Sequence, residues 1–131
     1  MNRVLFVCTE NSNRSQMGEA FSRMHAAGAI EPASAGSAPS GIINPVAIEA
    51  MSERGYDLTT HRSKGLAGVG DGPWDYVITM GCGDACPWVA SRHREDWRLA
   101  DPAGMSLEEL RAVRDEIETR VLELKARVEC E

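Results

Sequence analysis

The fold follows from a segment near the start of the chain, Val4-Leu5-Phe6-Val7-Cys8-Thr9-Glu10-Asn11-Ser12-Asn13-Arg14-Ser15. Its first four residues form a short apolar run, typical of a strand buried on both faces. A polar loop of small residues follows, and a helical pattern begins at Arg14. Such a strand-loop-helix junction directs several backbone N–H groups and the positive end of a helix dipole at one point. The segment therefore predicts an oxyanion site, with the Cys8 thiol at its base and the Arg14 guanidinium at its edge.

This arrangement suits thiolate attack on a tetrahedral oxyanion. A free cysteine has a pKa of about 8.5, and a helix N-terminus with a nearby cation lowers it. The Ser15 hydroxyl lies where it could donate to the Cys8 sulfur. The alternative is a buried, inert cysteine beside a solvated arginine. In the functional interpretation Arg14 acts as a planar fork, and the oxyanion is bound by the whole loop: Thr9, Glu10, Asn11, Ser12, Asn13 and Arg14.

The composition indicates one cytoplasmic domain over residues 1–131. Hydrophobic residues make up 43% and charged residues 26% of the chain, as in ordinary globular proteins. The net charge of −6 argues against nucleic acid or an anionic membrane as partner. No apolar run is long enough for a membrane span or a signal peptide. We expect a monomer, whose four cysteines serve chemistry rather than structural disulfides.

The rest of the chain alternates between strand and helix patterns. These patterns predict a parallel α/β sheet covered on both faces. Ligands of such sheets bind beyond the carboxyl ends of the strands, so we expect Cys8, the segment 81–87 and Asp101 to share one rim. The predicted elements are a helix from Arg14 to about Ala27, a strand over 30–36, a helix from Asn44-Pro45 to Gly55, a strand over 75–80, a short strand within 94–99, and a last helix opened by the capping box Ser106-x-x-Glu109.

Two polar features of the middle region carry no predicted role. Glu19 is offset from the apolar stripe of the first helix, which favours a solvated side chain. His61-Arg62-Ser63-Lys64 is a basic cluster, and its composition is typical of a solvated loop.

Cys82 and Cys86 follow the strand over 75–80 and are separated by three residues. Glycines flanking Cys82 and a third thiol on the same rim favour a redox pair. A zinc site would need four ligands, and these cysteines with His93 supply only three at an unusual spacing. Two reduced bystander thiols are the other alternative. Cys130, next to the end of the last helix, is interpreted as a bystander.

Two enzymatic activities share the first step, attack of the Cys8 thiolate on a bound oxyanion. A phosphatase then needs a general acid and a water molecule, and Asp101 could assist both steps. A reductase instead needs two further thiols to supply electrons and to move the resulting disulfide to an accessible position. This chain has the thiols for the second route, and a phosphocarrier or a pure oxyanion-binding module would leave Arg14 or the cysteine pair without a role.

At these residues the chain resembles the low-molecular-weight tyrosine phosphatase fold, in particular its arsenate reductase branch. The resemblance implies a three-layer α/β sandwich in which helices flank a four-stranded parallel sheet on both faces. It covers nearly the whole chain and rests on motifs in matching order: Cys8-Thr9-x-Asn11-Ser12-x-Arg14-Ser15-Gln16-Met17, Ser34-Ala35-Gly36, Asn44-Pro45-x-Ala47-Ile48-x-Ala50-Met51, His61 with Ser63, Asp101-Pro102-Ala103-Gly104, and Arg114-Asp115-Glu116-Ile117.

The resemblance implies reduction of arsenate to arsenite. Cys8 is then the nucleophile, Ser15 tunes its thiol and Asp101 assists proton transfer. A Cys8–Cys82 disulfide passes on to Cys82–Cys86, and an external thiol reductant reduces that pair. Thioredoxin is the default donor, and a small thiol with a glutaredoxin-like partner is the alternative. No bound cofactor is implied. The second possible activity is that of a low-molecular-weight protein tyrosine phosphatase using Cys8, Arg14 and Asp101.

Three departures from the family pattern qualify these expectations. The relay cysteines of the typical thioredoxin-coupled member are further apart than Cys82 and Cys86. Some members bind potassium through residues resembling Asn11, Glu19 and Ser34 plus an aspartate, and this chain has Lys64 at the aspartate position, so we predict no metal site. Ala103 offers no aromatic surface after the Asp-Pro pair, which disfavours a phosphotyrosine substrate.

Overall fold

The computed structural model describes residues 1–81, 88–102 and 104–130. Strands and α-helices alternate along the described chain as far as β3, and β4 and α3 follow: β1 Asn2–Cys8, α1 Arg14–His25, β2 Ile30–Gly36, α2 Pro45–Ser52, β3 Trp74–Thr79, β4 Ser91–Asp96 and α3 Leu107–Glu129. Short 3-10 helices cover Leu58–Thr60 and Leu66–Gly68. The alternation confirms the predicted α/β class. Cys82, Cys86 and Ala103 lie outside the described residues.

The strands form one sheet in the order β2-β1-β3-β4, and each neighbouring pair is parallel. β1 lies inside the sheet, where Cys8 is in register with Gly36 of β2 and Val7 with Thr79 of β3. The carboxyl ends of these three strands therefore meet at one edge. The predicted four-stranded parallel sheet is confirmed.

Alternate residues of β1 face two separate apolar clusters, as the two-residue period of a strand requires. Phe6 belongs to the larger cluster, which contains residues of all three α-helices, such as Met17, Ala47 and Ile117. Leu5 belongs to a smaller cluster, which also includes Val7, Ala35, Trp74 and Val77 and is covered by Leu66, Val69 and Val89. Helical segments thus lie on both faces, with α-helices on one and the 3-10 helix Leu66–Gly68 on the other.

Some element boundaries differ from the predictions. α1 ends at His25, two residues before the predicted end. β4 covers Ser91–Asp96 rather than a stretch within 94–99. β4 is an edge strand whose residues are mostly exposed, so it lacks the apolar signal that marks β1 and β3. No helix of the described chain is both long and apolar enough to cross a membrane.

The predicted capping box at the start of α3 is present. The Ser106 hydroxyl accepts a hydrogen bond from the Glu109 N–H, and the Glu109 carboxylate accepts one from the Ser106 N–H. We expect Ser106→Ala to lower the free energy of unfolding by about 1 kcal/mol, as measured by urea denaturation. Ser52→Ala, at an exposed position of α2, is the control, and we expect a change within about 0.5 kcal/mol. Equal changes in the two variants would contradict the role of the cap.

Candidate active site

A pocket opens at the carboxyl end of β1, where the sequence predicted the oxyanion site. It brings together Cys8, the loop that follows it, and Asp101 from the segment after β4. Its lining residues are Cys8, Thr9, Glu10, Ser12, Asn13, Arg14, Asn44, Asp101 and Pro102. Asn11 and Ser15 are fully buried behind these residues. The described candidates therefore converge on one pocket, whereas Cys82 and Cys86 lie outside the described residues.

The Cys8 thiol is buried and lies 2.8 Å from the Ser15 hydroxyl oxygen. Either atom can be the donor of this hydrogen bond, and the neighbouring Asn11 side chain decides whether the Ser15 proton is available for it. The backbone N–H of Lys64 donates to Asn11 Oδ1 at 2.9 Å, which fixes the amide so that Asn11 Nδ2 donates to Ser15 Oγ at 2.8 Å. The Ser15 proton is then free to point at the sulfur, and a donor to sulfur favours the thiolate.

The loop backbone is held against the end of β2. Ser37 N–H donates to Cys8 O at 3.1 Å and Ala38 N–H to Thr9 O at 2.8 Å. A Cβ atom on Gly36 would lie 2.6 Å from Thr9 O and 2.8 Å from the Asn11 nitrogen. Asn11 itself has a positive φ of 50°, a conformation that asparagine tolerates better than most residues. The tight turn of the loop therefore depends on the missing side chain at Gly36.

Arg14 begins α1 and is 6% exposed. Its Nη1 donates to Met80 O at 2.6 Å and to Leu99 O at 3.3 Å. These bonds anchor the guanidinium to the residues that follow β3 and β4. Its Nε is buried and has no hydrogen-bond partner within the described chain, and the same holds for both side-chain amide atoms of Asn13. An unpaired buried donor lowers the free energy of unfolding by about 1–3 kcal/mol. Asn13 and Arg14 both line the pocket, and Asn13 Nδ2 and Arg14 Nε are donors of the kind that an oxyanion accepts from.

Asn44 is a pocket residue that sequence reasoning assigned only to helix capping. Its side chain does accept a hydrogen bond from Val46 N–H at 2.8 Å, and its backbone N–H donates to Ser12 O at 2.9 Å. The second contact brings the N-terminus of α2 to the oxyanion loop. The two helix N-termini and Arg14, the single cation among the described lining residues, supply the positive potential. No local sequence signal indicated this long-range contact.

The prediction that Glu19 is solvated is wrong. Its side chain is 8% exposed, and its carboxylate accepts hydrogen bonds from Ser34 Oγ at 2.7 Å and Arg23 Nη2 at 2.9 Å. β2 packs against this side of α1, which the helical period alone could not reveal. The Lys64 ammonium lies 3.9 Å from the Glu19 carboxylate and 3.4 Å from Ser34 Oγ. Burial lowers the pKa of Lys64, and the Glu19 charge opposes that effect.

The basic cluster at residues 61–64 is also more buried than predicted. Ser63 Oγ donates to Glu10 O at 2.9 Å and accepts from Gly41 N–H at 3.1 Å. The His61 side chain is 6% exposed, and only Arg62 is fully on the surface. This segment packs behind the oxyanion loop, so it supports the loop instead of forming a solvated turn.

Comparisons with known proteins agree with this geometry. The profile of the family described as low molecular weight phosphotyrosine protein phosphatase matches residues 3–131. The glutaredoxin arsenate reductase of Synechocystis sp. is 40% identical over 131 residues, which span 98% of this chain and 99% of the relative. A solved arsenate reductase in the phosphate binding state has a TM-score of 0.87 and 39% identity, covering 98% of this chain and 99% of that one. A thioredoxin-dependent arsenate reductase of Corynebacterium glutamicum has a TM-score of 0.80 and 36% identity, covering 99% of this chain and 63% of that one.

Proposed function

This chain belongs to the low-molecular-weight phosphotyrosine protein phosphatase family, and we propose that it reduces arsenate to arsenite with Cys8 as nucleophile. The observation that carries this proposal is the pocket itself. A buried thiol 2.8 Å from the Ser15 hydroxyl oxygen lies in the same pocket as Asn13 and Arg14, whose buried donors have no partner among the described residues. Similarity to arsenate reductases over nearly the full length supports arsenate as the oxyanion.

The first step is attack of the Cys8 thiolate on the arsenic atom of bound arsenate. A sulfur–arsenic bond forms, and one oxygen leaves as water after it is protonated. Asp101, at the pocket rim, is the proposed proton donor to that oxygen. Arg14 and the loop amides hold the remaining oxygens, as preorganised donors stabilise developing negative charge.

The second step transfers two electrons to arsenic. The Cys82 thiolate attacks the Cys8 sulfur, so the sulfur–arsenic bond breaks and its electron pair stays on arsenic, which leaves as arsenite. Two thiols become one Cys8–Cys82 disulfide, which balances the reduction of arsenic(V) to arsenic(III). The Cys86 thiolate then attacks Cys82 and frees Cys8, so the oxidised pair is Cys82–Cys86.

An external dithiol or small thiol must reduce that disulfide to complete the cycle. We propose thioredoxin as the donor, with glutathione and a glutaredoxin as the second candidate because one relative carries that name. A reduced Cys8 at the start of each cycle requires a reducing compartment, which the cytoplasm provides. Each step uses groups of a single copy of the chain, so a monomer over residues 1–131 suffices.

The test is arsenate-dependent oxidation of NADPH, coupled in parallel to thioredoxin with its reductase and to glutathione with glutaredoxin. We expect turnover with the unaltered protein and none with Cys8→Ser or Cys82→Ser. Cys86→Ser should form about one equivalent of arsenite and then stop, because its disulfide stays at Cys8. Cys130→Ser is the matched control, since Cys130 is exposed at the end of α3, and it should keep full activity.

The same proteins also test the phosphatase activity. Hydrolysis of p-nitrophenyl phosphate that needs Cys8 but not Cys82, without arsenate-dependent turnover in either coupled system, would overturn the proposal in favour of a phosphatase. Turnover restored only by one donor system would identify the donor class.

A further inference from the structure

One carboxylate oxygen joins the two chain segments whose carbonyls anchor Arg14. Asp96 is the last residue of β4 and is exposed. Its Oδ1 nevertheless accepts three hydrogen bonds, from Gly81 N–H at 2.9 Å, from Thr79 Oγ1 at 3.0 Å and from Arg98 N–H at 3.3 Å. Burial raises the pKa of Asp96, but these hydrogen bonds outweigh that effect and lower it. The carboxylate therefore connects the carboxyl ends of two neighbouring strands.

The bond from Gly81 matters because its N–H belongs to the same peptide group as the Met80 carbonyl. That carbonyl accepts from Arg14 Nη1 at 2.6 Å. The N–H and C=O of a planar trans peptide point in opposite directions. The Met80–Gly81 peptide thus has the Asp96 carboxylate on one side and the Arg14 guanidinium on the other. If this peptide turned over, its carbonyl would point away from Arg14.

The backbone of Gly81 does not by itself select the observed orientation. Its φ is 90°, and a glycine adopts negative φ about as readily as positive φ. A Cβ at this position would overlap Leu99 O and lie 3.1 Å from Arg14 Nη1, so the close contact requires glycine. The residue that fits here is the one that leaves the peptide free to turn, and Asp96 is the acceptor that holds its N–H.

The same oxygen supports the second carbonyl that anchors Arg14. Leu99 O accepts from Arg14 Nη1 at 3.3 Å, and Leu99 directly follows Arg98. The φ of Arg98 is 44°, in the left-handed region that residues with a side chain seldom adopt. Asp96 Oδ1 stabilises this turn by accepting the Arg98 N–H. Both anchors of Nη1 therefore depend on one carboxylate.

We propose that Asp96 is a positioning residue, which orients the Arg14 guanidinium through the two carbonyls that anchor it. Because the guanidinium is planar, fixing Nη1 at two acceptors sets the direction of Nε, the buried donor that has no partner among the described residues. Asp96 is not one of the described residues that line the pocket, so its effect passes through Arg14. This role rests on the proposed function in that Arg14 binds an oxyanion, whichever oxyanion then reacts.

The experiment measures binding of inorganic phosphate as protection of Cys8 from alkylation by iodoacetamide, followed at the Cys8 peptide by mass spectrometry. We expect Asp96→Ala to raise the Kd of phosphate by roughly three- to tenfold, as loss of a hydrogen bond that holds the anchor implies. Asp96→Asn should stay within about twofold of the unaltered protein, because its amide oxygen can accept from the same donors.

Asp75→Ala is the matched control, since Asp75 also joins neighbouring strands but lies at the opposite end of β3. It accepts a hydrogen bond from Arg3 N–H at 2.8 Å and one from Arg92 Nε at 2.9 Å. Its loss should lower the melting temperature and leave the Kd of phosphate unchanged. Thermal melts verify folding of each variant. If Asp96→Ala does not fold, Asp96→Val takes its place, because a β-branched side chain suits a strand and offers no acceptor.

Three results would overturn the proposal: an unchanged Kd of phosphate in Asp96→Ala, equal weakening in the alanine and asparagine variants, or equal weakening in Asp75→Ala. An unaltered protein that binds no phosphate would overturn the oxyanion pocket and this proposal together. Phosphate binding needs no reduction of arsenate. Absence of arsenate turnover beside the expected Kd values would therefore count against the proposed function alone.

Discussion

Arg14→Lys should lower kcat/KM for arsenate by about 100- to 1,000-fold, as expected for loss of a preorganised oxyanion donor. Arg14 performs two tasks with one planar group. Its Nη1 donates to the carbonyls of Met80 and Leu99, and its Nε has no partner among the residues that the structure describes. A lysine has a single ammonium, which lacks the fixed fork geometry needed to serve the carbonyls and an oxyanion together. Steady-state arsenate reduction measures the loss.

Arg120→Lys is the control for this substitution. Arg120 forms a surface ion pair with Glu116 in α3, and such pairs contribute about 0–1 kcal/mol. We expect that variant to match the unaltered protein in both activity and melting temperature. An Arg14→Lys variant that kept more than about a tenth of the activity would contradict the role of the guanidinium as an oxyanion donor.

Gly36→Ala should damage the site through the backbone. The added Cβ would meet Thr9 O at 2.6 Å and the Asn11 nitrogen at 2.8 Å, and neither backbone atom can move without moving the loop. We expect the free energy of unfolding to fall by about 1–3 kcal/mol. A loop displaced by about 1 Å should lower kcat/KM for arsenate by about 100-fold.

Gly28→Ala provides the comparison, because a Cβ there has no neighbour within 4 Å. It should leave arsenate reduction unchanged, and urea denaturation should detect at most a small change in stability. A Gly36→Ala protein with normal arsenate kinetics would indicate that the loop adjusts to the extra atom, contrary to the close contacts of the structure.

The parts of the site that could be predicted from the sequence are those made by neighbours along the chain. Cys8, the loop and Arg14 occupy one strand-loop-helix junction, so their convergence follows from local geometry. The contact between Ser15 and Cys8 is of the same kind, because the first helical turn brings residue 15 back over residue 8. Asp101 could be placed at the rim because it follows the last strand of a parallel sheet.

The parts that could not be predicted depend on contacts between distant segments. Glu19 and His61 are polar residue types that usually face solvent, yet both side chains are buried by packing against distant parts of the chain. Asn44 has a sufficient local role as a helix cap, which gives no reason to look for a second one in the pocket. The predicted range of β4, within 94–99, lies too far along the chain, because the exposed, charged residues of this strand give no apolar signal. Its position is set by pairing with β3.

The anchoring of Arg14 bears on how this family changes during evolution. Two carbonyls hold Arg14, those of Met80 and Leu99. Met80 N–H donates to Val7 O, and Trp97 N–H, two residues before Leu99, donates to Thr79 O. Backbone hydrogen bonds to the sheet therefore hold both segments in place. Each doubling of the length of a loop raises the free-energy cost of closing it by only about 0.6 kcal/mol. Insertions and deletions between β3 and β4 can therefore accumulate without moving the oxyanion site. A change in the spacing of Cys82 and Cys86, the proposed relay pair, would then leave the proposed first chemical step at Cys8 unchanged.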